Sequence, residues 1–313
     1  GMVAHGAGAV SLGEDADPAL AALAEFRPGR VFALESLGGT VWRARPEGGG
    51  AWLVVKCAGP GGAAQLAQQA RRLRQVWRHL RDDALARVPR PWHLTADGSA
   101  LVMEDALGRQ AALAWWPAME FDLCLRQLQR FGDWIGAFHA PTLQGVAFDP
   151  GPHLRWLARI EAPTDDLAAP GLLAAARAAD GKPALQAVTH RDLHLKNLIL
   201  RQGGAVFGLD FENGKPDVAL RDPLMLLVDA ALRGGFDRDA MLLARAAAAL
   251  WRGYRARIGP ALPQAPEAAL FFQRFHSTAA LARLGAPEGE GSRRRAELHR
   301  MIQALHAPLF ADH

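Results

Sequence analysis

The sequence predicts an α+β fold in two lobes, a small antiparallel-sheet lobe with one helix and then a larger, mainly helical lobe. Three observations carry that expectation. Three short β-prone runs between Val31 and Lys56 are separated by glycine-rich turns, an amphipathic helix comes directly after them, and beyond Glu104 helical spacing dominates.

At 313 residues the chain exceeds the usual size of one compact core, which favours two lobes. Half of it is hydrophobic and 22% is charged, so a sizeable core needs no help from metals or disulfides. Cys57 and Cys124 stand far apart without metal-ligand spacing, which argues against a disulfide framework or a zinc site and suits a reducing cytoplasm. No basic flank joins an apolar stretch near the N-terminus, and Gly1 before Met2 reads as a remnant of tag removal, so a cytoplasmic location is expected. The greasiest stretches, Leu224–Leu232 and Ala240–Trp251, are interrupted by Asp229 and Arg245. Both fall short of the roughly 18 apolar residues a membrane span needs and read as buried helices. A formal charge of +4, with no basic stripe interleaved with aromatics, gives no footing for nucleic acid. Arg293–Arg295 reads as a solvated helix face. Nothing in the composition fixes an oligomeric state.

In chain order, residues 1–18 are small, Gly/Ala-rich and polar and are expected to form a flexible tail. An N-terminal lobe is expected over 19–104 and a C-terminal lobe over 105–313. Val31–Leu37, Thr40–Arg45 and Trp52–Lys56 form a meander with turns at Gly38–Gly39 and Glu47–Gly50. Leu66, Ala70, Leu73, Trp77 and Leu80 recur at helical spacing. Trp92–Thr95 and Ala100–Met103 flank the turn-rich Ala96–Ser99 and add two strands. Leu128, Phe131, Ile135 and Phe138 mark one face of a helix ending near His139–Pro141. Short apolar runs at Ala187–Thr189, Leu198–Leu200 and Val206–Leu209 would hold the intervening His190–Asn197 on a strand-loop-strand platform. There is no internal repeat.

The informative segment is His190-Arg191-Asp192-Leu193-His194-Leu195-Lys196-Asn197, with Asp210-Phe211-Glu212 beginning thirteen residues after Asn197. Phosphoryl transfer asks little covalent chemistry of a protein. It needs a carboxylate to orient the attacking hydroxyl, oxygen ligands for magnesium, and cations on the phosphates. An Asp five residues before an Asn on a loop between strands can turn Asp192 toward the acceptor and the Asn197 amide oxygen toward a metal, with Asp210 completing the metal site.

These motifs resemble the catalytic loop and metal motif of kinases, and more closely those of the aminoglycoside phosphotransferase and choline kinase-like superfamily. His194 stands where protein kinases usually carry Lys, matching the H-x-D-L-H-x-x-N pattern of the small-molecule kinases. About fifty residues separate His139 from His190, an insert that in such proteins builds the acceptor pocket. Asp222-Pro223 comes a dozen residues after Asp210, which leaves no room for an activation segment. The resemblance spans roughly residues 31–230 and implies a protein-kinase-like fold, with ATP and Mg2+ as cofactors and a small-molecule hydroxyl as phosphate acceptor. His190 and Asp222 would be structural, fixing the loop.

The resemblance also implies that Lys56, ending the third strand, meets the α- and β-phosphates. Gly38-Gly39-Thr40 would be the turn over the phosphates, where missing side chains let backbone N–H groups approach oxygens. Glu104 to Ala106 would be the hinge that pairs with adenine. One departure concerns the helix after Lys56, where the family pattern places a Glu to pair with the lysine. No acidic residue occurs between Lys56 and Asp82, and alignment on Leu73 puts Gln69 there, a hydrogen-bond acceptor without charge. The other is Arg191, where small-molecule members often have a small residue; it reads as structural.

Two other readings compete with a small-molecule kinase. A catalytically weak homologue acting as a nucleotide-binding scaffold fits Gln69 but not the intact Asp192, Asn197 and Asp210. A protein or lipopolysaccharide-sugar kinase fits poorly with the long insert and the short span after Asp210. Residues 106–313 hold 24 basic against 21 acidic side chains, which favours a neutral or anionic acceptor over a polycation. Trp115, Trp116, Trp134 and Trp156 are available either to line its pocket or to pack the core.

Overall fold

A computed structural model of the chain describes residues 16–107, 109–110 (backbone only), 116–160, 171–211 and 214–312. It divides into two compact units, one running to Arg78 and including Pro89–Ala106, the other formed by His79–Val88 with the chain from Leu107 onward.

The smaller unit opens with helix α1 (Asp17–Phe26), which no strong sequence signal marks. Asp17 and Pro18 in its first turn suit a helix start, because an acidic side chain favours the positive end of the helix dipole and proline gives up no needed N–H there. The helix therefore begins inside the segment expected to be a tail, whose residues 1–15 lie outside the described ones. Its buried Ala19, Ala22 and Leu23 pack with Phe32, Trp42, Leu53, Val55 and Val102 in one apolar cluster.

The predicted meander forms β1 (Phe32–Gly38), β2 (Val41–Pro46) and β3 (Leu53–Cys57), with α2 (Ala63–Leu80) next in the chain. Beyond the two-residue β4 (Ala86–Arg87), which belongs to the larger unit, the predicted hairpin supplies β5 (Pro91–Leu94) and β6 (Ala100–Glu104). The sheet order is β1-β2-β3-β6-β5, antiparallel throughout. In β3, Leu53, Val55 and Cys57 face the α1 cluster, so the two-residue strand period sends Lys56 to the opposite face. There it lies in register with Val41 of β2 and Leu101 of β6.

In the larger unit, α3 (Phe121–His139) buries the expected Leu128, Phe131, Ile135 and Phe138. The short β7 (Arg109–Gln110) precedes it. After it β8 (Gln144–Ala147), α4 (Gly151–Arg159), α5 (Leu172–Ala179) and β9 (Pro183–Thr189) fill the described part of the long insert. Then come β10 (Leu198–Leu200), β11 (Val206–Gly208), β12 (Lys215–Val218), α6 (Arg221–Gly234), α7 (Ala240–Ile258), α8 (Pro266–Leu284) and α9 (Gly289–Ala304). β8, β9 and β12 make one antiparallel sheet in the order β12-β9-β8. The other has the order β4-β11-β10-β7.

Helices α3 and α7 touch backbone to backbone. A Cβ on Gly132 would overlap the Leu250 carbonyl oxygen, and one on Gly253 that of Gln129. Residues 79–88 join this unit through the parallel pairing of β4 with β11 and through Arg257, which bridges Asp83 at 2.5 Å and Asp133 at 2.7 Å. Within the run Arg293–Arg295, Arg293 and Arg295 are exposed as expected, but Arg294 is bound to Asp237 at 2.6 Å. Among the described residues no helix is long and apolar enough to cross a membrane.

Candidate active site

Strand β9 delivers the chain to His190, and α6 fixes the loop beyond it. Asp222, in the first turn of α6 and fully buried, accepts the backbone N–H groups of His190 at 2.7 Å and Arg191 at 3.0 Å. Burial alone would raise its pKa. The hydrogen bond and charge of His139, with further help from His190, outweigh that and hold it below the usual carboxylate value. His190 donates Nε2–H to the Leu209 carbonyl at 2.6 Å, and its Nδ1 faces the Asp192 amide at 3.4 Å. With both ring nitrogens engaged inside the protein, His190 is a fastener of the loop, as the sequence implied.

Arg191 adopts φ 67° and Asp210 φ 58°, in the left-handed region that costs a non-glycine residue about 1 kcal/mol or more. One of them directly precedes Asp192, and the other is itself the expected metal ligand. Arg191 is anchored by its amide to Asp222 and by its guanidinium to Asp217 at 3.1 Å, a partner the sequence did not reveal. The turn leaves the Asp192 side chain half exposed, with one carboxylate oxygen 3.7 Å from His194 Nε2.

Asn197 closes the loop. Its Nδ2 donates to the Asp192 carbonyl at 2.9 Å, which orients the amide and turns Oδ1 away from that bond. The Leu209 amide donates to the Asn197 carbonyl at 2.9 Å, tying the loop to the residue before Asp210. Leu195 donates its amide to Asp229 Oδ2 at 2.9 Å, and Asp229 also holds Arg233. Asp229 had registered in the sequence only as an interruption of an apolar run; its spacing of four from Arg233 was the available signal. Phe211 is buried against Trp134, Phe138 and His190, while Glu212 lies outside the described residues. Asn197 and Asp210 thus offer hard oxygen donors, the donor type magnesium prefers.

In the smaller unit, Gly38 and Gly39 form an exposed turn with φ 109° and 54°, and space stands open beside both Cα atoms. Thr40 is exposed, and its carbonyl accepts the Cys57 amide at 2.8 Å, pinning the turn to the residue after Lys56. Glu104 and Asp105 commit their amides to Arg90 and Trp52 carbonyls at 2.9 and 3.2 Å, and buried Ala106 has no backbone hydrogen bond among the described residues. Gln69 is half-buried on α2.

Of the tryptophans considered for an acceptor pocket, Trp116 and Trp134 are core residues. They are buried and donate their indole N–H groups to the Ala230 and Arg87 carbonyls at 3.0 and 2.9 Å. Trp156 lines a cavity in the larger unit, and Trp115 lies outside the described residues.

A five-stranded antiparallel sheet with α2, a helical unit, and an Asp192/Asn197/Asp210 loop braced by Asp222 define the protein-kinase-like class. The sequence profile of the phosphotransferase enzyme family, APH, matches residues 33–261, and the chain belongs to that family. Choline kinase LicA from Streptococcus pneumoniae superposes with a TM-score of 0.56 at 14% identity, covering 92% of this chain and 98% of that one. An aminoglycoside phosphotransferase from Alicyclobacillus acidocaldarius gives 0.55 at 16% identity, covering 91% and 94%. Amicoumacin kinase hAmiN, in complex with AMP-PNP, Ca2+ and Ami, gives 0.52 at 16% identity, covering 95% of each chain. Comparison with curated protein sequences gives no match.

Proposed function

We propose that the chain is an ATP-dependent phosphotransferase that moves the γ-phosphate to a hydroxyl of a small molecule. The observation that carries this reading is the loop itself: Asp192 is half exposed on a backbone that Asp222 and Asn197 hold in a strained turn. In this reading Asp192 orients the acceptor hydroxyl and takes its proton. The hydroxyl oxygen bonds to the γ-phosphorus as the bond to the bridging oxygen of ADP breaks. Asn197 and Asp210 hold magnesium, which when bound neutralises phosphate charge. His194 steadies the Asp192 carboxylate, and Lys56 binds the α- and β-phosphates. Gly38, Gly39 and Thr40 offer backbone to the phosphates, and Glu104 and Ala106 pair with adenine.

Family membership and the AMP-PNP and Ca2+ in the amicoumacin kinase complex support nucleotide and divalent-metal binding. The absence of an acidic residue between Lys56 and Asp82 favours a second reading, a weak homologue that binds nucleotide without turnover. ADP formation over a panel of hydroxylated metabolites separates the two. Turnover by wild type that disappears in Asp192→Asn, at unchanged nucleotide affinity, supports the enzyme; nucleotide binding without turnover by any acceptor supports the scaffold.

A further inference from the structure

A cavity of about 500 Å3 opens within the larger unit, a volume suited to a metabolite. The insert supplies part of its wall through β8 and α4, and β12, α6 and α8 supply most of the rest. Arg191, immediately before Asp192, lines it too. Three guanidinium groups share this wall, those of Arg191, Arg221 and Arg283. Asp217 is engaged by the first two, with Arg191 Nη1 at 3.1 Å and Arg221 Nε at 2.5 Å, so one carboxylate serves two cations. The other lining carboxylate, Asp149, accepts the Gly151 amide at 2.8 Å. Arg283 has no carboxylate within 4.0 Å among the described residues, and its guanidinium stacks 4.9 Å from the Trp156 ring centroid.

The cationic excess is felt by its neighbours. Burial and the charges of Arg221 and Arg191 push the Arg283 pKa down. His276, also on the wall, is held well below the usual imidazole value by burial, then by His299, Arg221 and Arg283. An anion placed among the arginines would relieve their mutual repulsion, and the planar guanidinium fork suits the paired oxygens of a carboxylate or phosphate. A cationic ligand would meet like charge, and Arg283 already covers a face of the one tryptophan on the wall.

We propose that this cavity takes the acceptor by an anionic group, a phosphate or carboxylate bound at Arg283 with Arg191 and Arg221, so that the substrate class is a hydroxylated acid or phosphate ester. That the ligand is the phosphate acceptor rests on the proposed phosphotransferase reading. The link to the proposed base is Arg191, which lines the cavity and directly precedes Asp192 in the chain, while Asp192 itself is not part of the lining.

The test is calorimetry on the full chain with glycerol 3-phosphate, glycerate, glycerol, choline and inorganic phosphate, comparing wild type with Arg283→Gln and Arg283→Lys. Each protein is also titrated with magnesium-ATP. The proposal expects the two anionic alcohols to bind and glycerol and choline not to bind. Arg283→Gln should weaken the anions about tenfold or more, as expected for loss of a charge-assisted contact, and Arg283→Lys should restore part of that loss. Magnesium-ATP affinity should stay unchanged in both variants. Glycerol or choline binding as tightly as the anions, or anion binding indifferent to Arg283→Gln, overturns the proposal. Inorganic phosphate binding that depends on Arg283, without binding of either alcohol, overturns the acceptor role in favour of a free-anion site. Anionic alcohols that bind while magnesium-ATP does not would sink the phosphotransferase reading yet leave the cavity chemistry standing.

Discussion

His139 Nε2 donates to Asp222 Oδ2 at 2.8 Å, and both side chains are fully buried. Tyr254 closes the far side of the imidazole, its hydroxyl 3.1 Å from Nδ1. One carboxylate thus serves an imidazole and two loop amides. Asp222→Ala would strand all three donors, and a loss of about 3–5 kcal/mol is expected in urea unfolding. Because the folded pKa of Asp222 is depressed, its contribution is present at neutral pH and disappears only as pH falls through its depressed folded value, below the ordinary 3.8.

A second pH dependence has the same direction and a different window. Burial, then the charge of Arg295, lowers the His299 pKa from 6.5 to about 4. Between those values the unfolded chain binds more protons, so stability is complete above pH 6.5 and falls as the solution is acidified toward pH 4. The single group accounts for about 3 kcal/mol across that range. His276, also depressed, adds to the slope. Urea unfolding of wild type and His299→Gln at pH 7 and pH 4 measures it, and the variant should show the smaller difference.

The crossing of α3 and α7 depends on glycine. Since a Cβ on Gly253 would overlap the Gln129 carbonyl oxygen, Gly253→Ala must push the helices apart. A destabilisation of about 1–3 kcal/mol is expected, read as a lower melting temperature, despite the better helix propensity of alanine.

The legible parts of the fold were those with local causes. Glycine turns at Gly38–Gly39 and helical spacing from Leu66 to Leu80 located β1 to β3 and α2, and the His190–Asn197 spacing located the loop. Long-range pairing left little trace in the sequence. Two residues of β4 pair in parallel with β11, and Arg191 finds Asp217 across 26 positions. Helix α1 was hidden because its small Ala-rich face resembles a tail until Phe32 and Trp42 cover it. Trp116 and Trp134 went to the core because each found a buried carbonyl for its indole N–H.

Gln69→Glu addresses the departure on α2. If Gln69 orients Lys56 as a neutral acceptor, a carboxylate should fix the ammonium more tightly and raise nucleotide affinity or turnover. Steady-state ADP formation beside a Lys56→Ala control measures this. A Gln69→Glu variant identical to wild type, with Lys56→Ala still active, would remove both residues from the nucleotide site.

Calorimetric titration of ATP, with and without magnesium, into wild type and Asp210→Ala tests the nucleotide site most directly. Binding by wild type should depend on magnesium and fall about tenfold or more in the variant, because the metal forfeits a carboxylate ligand. Equal magnesium-ATP affinity in the two proteins would contradict the assignment of Asp210 and the nucleotide site built on it.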